Sequence, residues 1–398
     1  MAYYITNLGL GFSVASLGPT LPGLASQTAS ALGAVSILFA VRAVGRILSN
    51  FVAGRAYDRV AGHPLLGTAM IGIALMMALT SFMPVLWALA IVFFVMGMAE
   101  GFIDVGVNAM LVWTHKGRAG PFINGLHFMF GLGAFIAPLI ISQVIVIVNG
   151  ASISAQAAFM TPFEVLSSVL IPAPVAWPYR VLALTLLPIG FLIWSLRSPQ
   201  RPQQTQPADT APVVVRWGLV FLFALMLAVY VGAEASYSGW VYTYALERKL
   251  MGEAQAALLV SLFWGMVMIG RLAGVAIALR VKPRYMLLGA LIGSLLSTLA
   301  MIAVPTATML WIGTIAFGLS MAPIFPTVVA FADKNLEING KITSYFFIGA
   351  SVGAIVLPWL IGQLFRPVGP EALLYLILAS VIVLSGVYTV LVRAVTVQ

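Results

Sequence analysis

The residues in this sequence most able to do chemistry are ionisable side chains embedded in long apolar runs. They are Arg42, Arg46, Glu100, Asp104, Glu234 and Arg271, with the titratable His127 beside them. An ionised group costs about 3 kcal/mol or more at the centre of a bilayer, so such groups usually pair, face a water-filled cavity and serve a function. The pattern therefore predicts proton exchange or ion binding inside a membrane.

A second group of side chains suits a polar ligand. Glu234 stands among aromatic and hydroxyl residues, and Trp264 precedes Arg271 by seven residues, which places both on one helical face. Carboxylate, guanidinium, hydroxyl and flat aromatic surfaces are what a polyol can contact. The candidates for substrate contact are Trp264, Glu234, Arg271, Tyr237, Asn124, Gln143 and Gln363. Aromatic core packing for Trp264 and snorkelling for Arg271 are the alternatives.

The elements that must position these residues are membrane helices. Hydrophobic residues make up 62% of the 398 residues and charged residues 8%, whereas soluble domains carry about a quarter charged residues. Apolar runs of about 20 residues, long enough to cross a hydrocarbon core, recur along the chain. Because the alternating pattern of barrel strands is absent, these runs predict an all-α integral membrane protein.

Twelve transmembrane helices are predicted. Their ranges are 2–22, 31–54, 64–83, 85–114, 121–148, 179–196, 217–242, 255–279, 285–304, 308–332, 343–365 and 371–395. Residues 1–197 and 216–398 are then two six-helix bundles, joined by a Pro- and Gln-rich cytoplasmic linker at 198–215. Residues 149–178 form an extracytoplasmic loop, and its 161–171 portion is predicted to be a short helix at the membrane surface.

The net charge of +9 reflects topology and not nucleic-acid binding, because the basic residues lie between the spans. Placing both termini in the cytoplasm gives that side a strong excess of Lys and Arg, so we expect a multi-pass protein of the cell membrane. Cysteine is absent, which excludes disulfides and thiolate metal sites. The hydrolase and metalloprotease motifs are absent as well, so we expect no enzyme activity, no cofactor and no metal.

An internal repeat supports two pseudo-symmetric bundles. The matching positions are Gly45-Arg46 with Gly270-Arg271, Gly133-Ala134 with Gly353-Ala354, Pro138 with Pro358, and Gln143 with Gln363. Such a duplication suits a carrier whose halves rock about a central site.

The loop after predicted helix 2 resembles a signature of the major facilitator superfamily. Gly54 is followed four residues later by Asp58-Arg59 and then by Gly62. Residues 100–108, 126–138, 230–240 and 263–271 resemble the branch that contains fucose permease and the sodium-dependent glucose transporters. The resemblance covers essentially the whole chain. It implies a secondary carrier with the major facilitator fold, and it implies that Asp58 and Arg59 take part in cytoplasmic gating.

In that fold helices 2 and 4 are neighbours, and four charges then form a ladder. Each helix carries two charges at i and i+4, at matching depths. We therefore expect Arg42 to pair with Glu100 and Arg46 to pair with Asp104. A purely structural pair that locks the N-terminal half is the alternative to an ion-coupling one.

The resemblance makes Asp104 the acid that exchanges a proton or binds a cation, since it lies four residues before Asn108 as in the sugar symporters. The ion-coupling candidates are Asp104, Arg46, Glu100, Arg42, His127 and Asn108. In the second half Arg271 occupies the repeat position of Arg46, but helix 10 offers Phe325 where helix 4 has its acid. Arg271 therefore has no obvious partner in the protein, and we expect it to reach the substrate or the end of helix 10 near Asp333.

These features predict a secondary active transporter that works by alternating access. The expected activity is symport of a sugar or similar small polar solute with a proton or sodium ion. The alternative is a proton-driven exporter of drugs or lipid-like amphiphiles. The expected partners are the solute, the cation and the lipid bilayer, with no nucleic acid, and the expected state is a monomer.

Overall fold

The computed structural model of the chain describes residues 1–115, 119–156, 176–199, 216–336 and 340–396. Regular structure within these ranges is helical. Twelve helices among the described residues are long and apolar enough to cross a membrane, which confirms the predicted all-α class and its twelve spans.

The twelve spans are numbered α1 to α12 in chain order. Their bounds are α1 Ala2–Gln27, α2 Leu32–Tyr57, α3 Gly62–Thr80, α4 Leu86–His115, α5 Ala119–Gln156, α6 Ala176–Trp194, α7 Trp217–Glu247, α8 Glu253–Ala278, α9 Pro283–Ala303, α10 Ala307–Asp333, α11 Gly340–Leu364 and α12 Ala372–Thr396. Two spans are interrupted: α2 breaks at Ser36, and α10 breaks between Met321 and Ile324. The second break contains Pro323, which has no N–H to donate to a helical hydrogen bond.

Three predicted helix ends come too early by five residues or more. The seventh helix does not end at 242 but continues to Glu247. The first helix does not end at Pro22 but continues to Gln27, because Leu24 and Ala25 are still buried and the helix accommodates the proline. The fifth helix does not end at 148 but continues to Gln156, so the connection to α6 is shorter than the predicted loop 149–178. The predicted surface helix at 161–171 and residues 200–215 of the predicted linker lie outside the described residues.

Helix packing repeats between the N-terminal half (α1–α6) and the C-terminal half (α7–α12). In the first half α1 packs on α5, α2 on α4 and α3 on α6; in the second half α7 packs on α11, α8 on α10 and α9 on α12. Glycines permit the closest approaches. A Cβ at Gly133 would lie 2.0 Å from Leu8 O, and a Cβ at the repeat position Gly353 would lie 1.8 Å from Ala228 O. Small residues at these positions let membrane helices pack backbone to backbone.

The two halves meet along α2 with α11 and along α5 with α8. Gln363 Nε2 donates to Gly33 O at 2.8 Å, and Ser142 Oγ donates to Ala254 O at 2.9 Å. Both bonds lie at the end that carries the α1–α2 and α7–α8 turns, which we call the outer end, and the opposite end is the inner end. Among the described residues, all side-chain hydrogen bonds between the halves lie at the outer end, so the halves are closed there.

Candidate functional site

The two predicted ion pairs between α2 and α4 are called rungs below. The first, the buried rung, is the pair of Arg42 with Glu100. Arg42 Nε donates to Glu100 Oε1 at 3.1 Å and to Oε2 at 3.0 Å, and its Nη2 also contacts Oε1. Ser13 of α1 donates to Glu100 Oε1 at 2.6 Å and accepts from Arg42 Nη2 at 3.1 Å. The exposed fractions of the side chains are 9% for Arg42 and 1% for Glu100. This rung is therefore a buried ion pair in which Ser13 is a third partner.

The second rung is one helical turn away and is accessible. Arg46 Nη2 contacts Asp104 Oδ2, and both side chains are 34% exposed. Asn108 Nδ2 donates to the backbone oxygen of Asp104 at 2.8 Å, so its amide bonds the main chain and not the carboxylate. Among the described residues the Asp104 carboxylate has this one ion-pair partner. Both predicted pairs are therefore confirmed, but their environments differ.

Close packing of α2 against α4 brings the rungs together. A Cβ at Gly97 would lie 2.0 Å from Arg42 O, and a Cβ at Gly45 would lie 2.2 Å from Phe94 O. Only glycine allows this approach without a backbone shift. The arginines of α2 therefore reach the carboxylates of α4 directly.

A third ion pair lies in the C-terminal half. Glu234 Oε1 accepts from Tyr230 Oη at 2.7 Å and from Arg271 Nη2 at 3.1 Å. The expectation that Arg271 has no obvious partner in the protein is wrong, because α7 packs against α8 and supplies the acid that α10 does not. Phe325 of α10 packs instead on the Tyr230 ring, with centroids 6.2 Å apart.

His127 of α5 lies between the second rung and this third pair. One turn further along α5, a Cβ at Gly131 would lie 3.4 Å from Met268 Cβ, which sets α5 beside the Arg271 segment of α8. The imidazole interacts electrostatically with both Asp104 and Arg271. Arg46, Asp104, His127 and Arg271 are all partly exposed. We infer that they line a common space between the halves, which is called the inner cavity below.

Two predicted substrate contacts lie in packed surroundings. Trp264 is 5% exposed and meets the Phe130 ring edge to face at 5.9 Å, and its Nε1 has no hydrogen-bond partner among the described residues. Tyr237 is fully buried; its hydroxyl bonds Thr314 Oγ1 at 2.7 Å and its ring packs on Phe317. The position of Tyr237 favours core packing over ligand contact.

The amide candidates lie apart from the inner cavity where they are described. Gln363 bonds α2 and closes the outer end, and Gln143, its repeat counterpart, is exposed on α5. The side chain of Asn124 lies outside the described residues. Asp58 and Arg59 are exposed at the end of α2, and neither forms an ion pair among the described residues. Their role in gating stays a prediction.

Ser13 is the site residue that the sequence patterns missed. A lone serine in an apolar span has no partner that spacing reveals, and three helices must pack before α1 meets the buried rung. A weak signal exists, because α1 carries Asn7, Ser13, Ser16 and Thr20 where most membrane helices are apolar. His63 was likewise unassigned; it is buried, and its ring nitrogens bond Arg197 O at 2.7 Å and Tyr3 Oη at 3.0 Å.

The sequence of this chain is similar to those of known proteins over most of its length. Residues 3–358 match the sequence profile of the Major Facilitator Superfamily. The chain is 31% identical to sodium-dependent glucose transporter 1 of Xenopus laevis over 97% of this chain and 80% of that protein. It is 30% identical to the human protein of the same name over 90% of this chain and 71% of that protein.

Solved structures share the fold at low identity. A bacterial homologue of the human lysosomal transporter Spinster, in an inward-facing and unoccupied conformation, superposes with a TM-score of 0.74 at 11% identity, covering 99% of this chain and 96% of that chain. The nucleoside transporter NupG gives a TM-score of 0.71 at 12% identity, covering 98% and 99%. With twelve apolar spans, two repeated bundles and a profile match over most of its length, this chain belongs to the Major Facilitator Superfamily.

Proposed function

We propose that this transporter is a sodium-coupled sugar symporter in which Asp104 binds the coupling ion. The names of the relatives support sodium and glucose as the ion and solute class. The observation that carries the proposal is the difference between the two rungs. Asp104 is 34% exposed and has one ion-pair partner, whereas Glu100 is 1% exposed and has two partners.

The accessible rung, Arg46 with Asp104, is the one whose carboxylate can exchange its arginine partner for a cation. A cation that enters the inner cavity reaches the Asp104 carboxylate, and among the described residues its bond to Arg46 is the one side-chain contact that must rearrange. Arg46 lies eleven residues before the end of α2, which is about 16 Å along the helix axis, so this carboxylate is at membrane depth and still accessible. Glu100, sealed between Arg42 and Ser13, holds α1, α2 and α4 together instead.

The charges that line the inner cavity favour an uncharged solute. Arg46 is matched by Asp104 and Arg271 by Glu234, so the described ion pairs add no net charge. A charged substrate would therefore meet no opposing excess of charge. Arg271 is 28% exposed and bonds Glu234 through Nη2, so other N–H groups of its guanidinium remain available as donors. These donors and the Glu234 carboxylate suit the hydroxyl groups of a sugar.

Coupling requires that the ion bind the two conformations with different affinity. In the conformation described here the halves are closed at the outer end, and ion and solute would leave toward the inner end. His127 is the proposed link between the two events, since it is exposed on α5, within electrostatic range of Asp104 in one half and Arg271 in the other.

The decisive experiment measures uptake of labelled glucose into proteoliposomes under a sodium gradient or a proton gradient. The change is Asp104→Asn, which keeps the side-chain size and removes the charge. We expect loss of sodium-driven accumulation with retained exchange of glucose across the membrane. Glu371→Gln is the matched control, because Glu371 is similarly exposed, at 30%, in an ion pair with Arg248 away from the cavity.

Three results would reject parts of this proposal. Wild-type accumulation by Asp104→Asn would assign the carboxylate a structural role. Accumulation driven by a proton gradient without sodium would show that the coupling ion is a proton and not sodium. Extrusion of amphiphilic dyes without any glucose uptake would favour the exporter.

The orientation belongs to the same proposal, with both termini cytoplasmic. The chain lacks cysteine, so a single introduced thiol reports one position. A cysteine in place of Lys249, between α7 and α8, should react with an impermeant reagent added to intact cells. A cysteine in place of Arg280, between α8 and α9, should react only after permeabilisation, and the reverse pattern would invert the topology.

A further inference from the structure

The outer end of the N-terminal half carries a cation for which the described protein supplies no acceptor. Arg180 lies in the first turns of α6, close to the end of α3. Ser81 Oγ donates to Ala176 O at 3.0 Å and fixes the two helix ends together. The guanidinium is therefore held by a rigid junction of two spans and not by a free loop.

Two aromatic rings flank this guanidinium. Arg180 Cζ lies 4.9 Å from the centroid of Phe82 and 5.4 Å from that of Trp177. Both distances are within the range of cation–π attraction, which leaves the N–H groups in the plane of the guanidinium free to donate. Arg180 has no hydrogen bond or ion pair among the described residues, and its Nε is buried without a partner.

Arg180 lies near the outer end of its span, four residues or about 6 Å along the helix past the start of α6. A long side chain at this position can extend toward the headgroups. Phe82, which flanks the guanidinium, is 57% exposed, and Trp87, at the outer start of α4, is 69% exposed. Exposed aromatic side chains at a span end mark the interface between hydrocarbon and headgroups.

Arg248, at the same end of the protein, shows the contrasting case of an arginine paired with a carboxylate of the protein. Arg248 Nη1 bonds Glu371 Oε1 at 2.6 Å. Arg180 has donors in a planar fork and forms no ion pair among the described residues, so these donors are free to bind an anion supplied from outside the chain. Guanidinium pairs with a phosphate through two parallel hydrogen bonds, and a phospholipid places its phosphate at this depth.

We propose that Arg180, Phe82 and Trp177 form a binding site for the phosphate of a phospholipid headgroup at the outer ends of α3 and α6. The phosphate accepts from the guanidinium, and the acyl chains lie along the apolar surface of the two helices. This site is independent of the inner cavity and of the proposed sugar transport.

The test compares lipid-dependent stability of purified protein in detergent. Thermal unfolding is followed by tryptophan fluorescence with no lipid, with dioleoyl phosphatidylglycerol, with dioleoylglycerol, which lacks phosphate, and with inorganic phosphate. Native mass spectrometry counts the phosphatidylglycerol molecules that remain bound. The variants are Arg180→Gln, Arg180→Lys and, as the matched control, Arg248→Gln.

We expect phosphatidylglycerol to stabilise the wild type and Arg248→Gln, with one more lipid retained than by Arg180→Gln. Apparent affinity should fall about tenfold in Arg180→Gln, because a charge-assisted bidentate contact is lost. Arg180→Lys should lie between them, because it keeps the charge but loses the planar fork.

An equal lipid effect in wild type and Arg180→Gln would overturn the proposal. So would a loss of stability in Arg180→Gln that is just as large without lipid, since that result assigns Arg180 to packing between α3 and α6. Stabilisation of the wild type by dioleoylglycerol would show that the phosphate is not required for lipid binding. An equal effect of inorganic phosphate would make the ligand a free anion.

Discussion

The two rungs of the α2–α4 ladder allow the same substitution in two environments. Glu100→Gln and Asp104→Asn each remove one carboxylate charge and keep the side-chain size. The affected pairs join the same two helices, one turn apart. Their expected effects on the free energy of unfolding differ because burial differs.

The magnitudes follow from the exposed fractions. Glu100→Gln leaves the charge of Arg42 unpaired where the partners are 9% and 1% exposed, and breaking a buried pair costs about 3–5 kcal/mol. Asp104→Asn leaves Arg46 in a pair that is 34% exposed, and exposed pairs contribute about 1 kcal/mol or less. We therefore expect a gap of roughly 2–4 kcal/mol between the two variants.

The assay is equilibrium unfolding in mixed micelles, followed by the fluorescence of the nine tryptophans. Ser13→Ala gives an intermediate reference, because it removes the hydrogen bond to Glu100 and the one from Arg42, about 1 kcal/mol each. The double variant Arg42→Gln with Glu100→Gln should recover much of the loss, since no buried charge is left unpaired. Equal losses in Glu100→Gln and Asp104→Asn, or a larger loss in Asp104→Asn, would refute the division into a sealed rung and an exchangeable one.

Two further predictions concern the helix contacts. Gln363→Ala should raise the outward-open population several-fold, measured as the distance distribution between spin labels on the outer ends of α2 and α11, while Gln143→Ala, which removes no described contact between the halves, should leave it unchanged. Gly353→Ala should cost about 1–3 kcal/mol of unfolding free energy through overpacking against Ala228; Gly386→Ala, whose Cβ would meet nothing within 4 Å, should not destabilise, and equal behaviour of the two would contradict the close approach.

The fold was largely predictable because hydropathy and span length report the membrane directly. The ladder was predictable for a related reason: two charges at i and i+4 on each of two neighbouring helices leave few other pairings. The Arg271–Glu234 pair was not, since spacing within one helix carries no information on which neighbour faces it. The expected acid was sought in α10 by analogy with α4, whereas the fold supplies it from α7.

The burial of each side chain was the other property that the sequence could not predict. The two rungs have the same residue chemistry, and only the packing of α1 over one of them, through Ser13, separates the sealed pair from the accessible one. Gln143 and Gln363 occupy equivalent repeat positions, yet one is exposed and the other bridges the halves. A sequence repeat predicts only approximate symmetry between the halves. The closure at the outer end depends on positions such as Gln363 and Gln143, where the two halves differ.

The two shortest hydrogen bonds between the halves at the outer end have main-chain carbonyl acceptors, Gly33 O for Gln363 and Ala254 O for Ser142. A carbonyl persists whatever side chain its residue carries, so mutations should affect the donor and acceptor sides of the closure unequally. In a saturation scan, Ala254 should tolerate polar and apolar replacements alike, whereas Ser142 should tolerate only residues that can donate. This tolerance does not extend to Gly33, where a Cβ would lie 2.9 Å from Gly362 O, so the closure constrains the donors on one side and a glycine on the other.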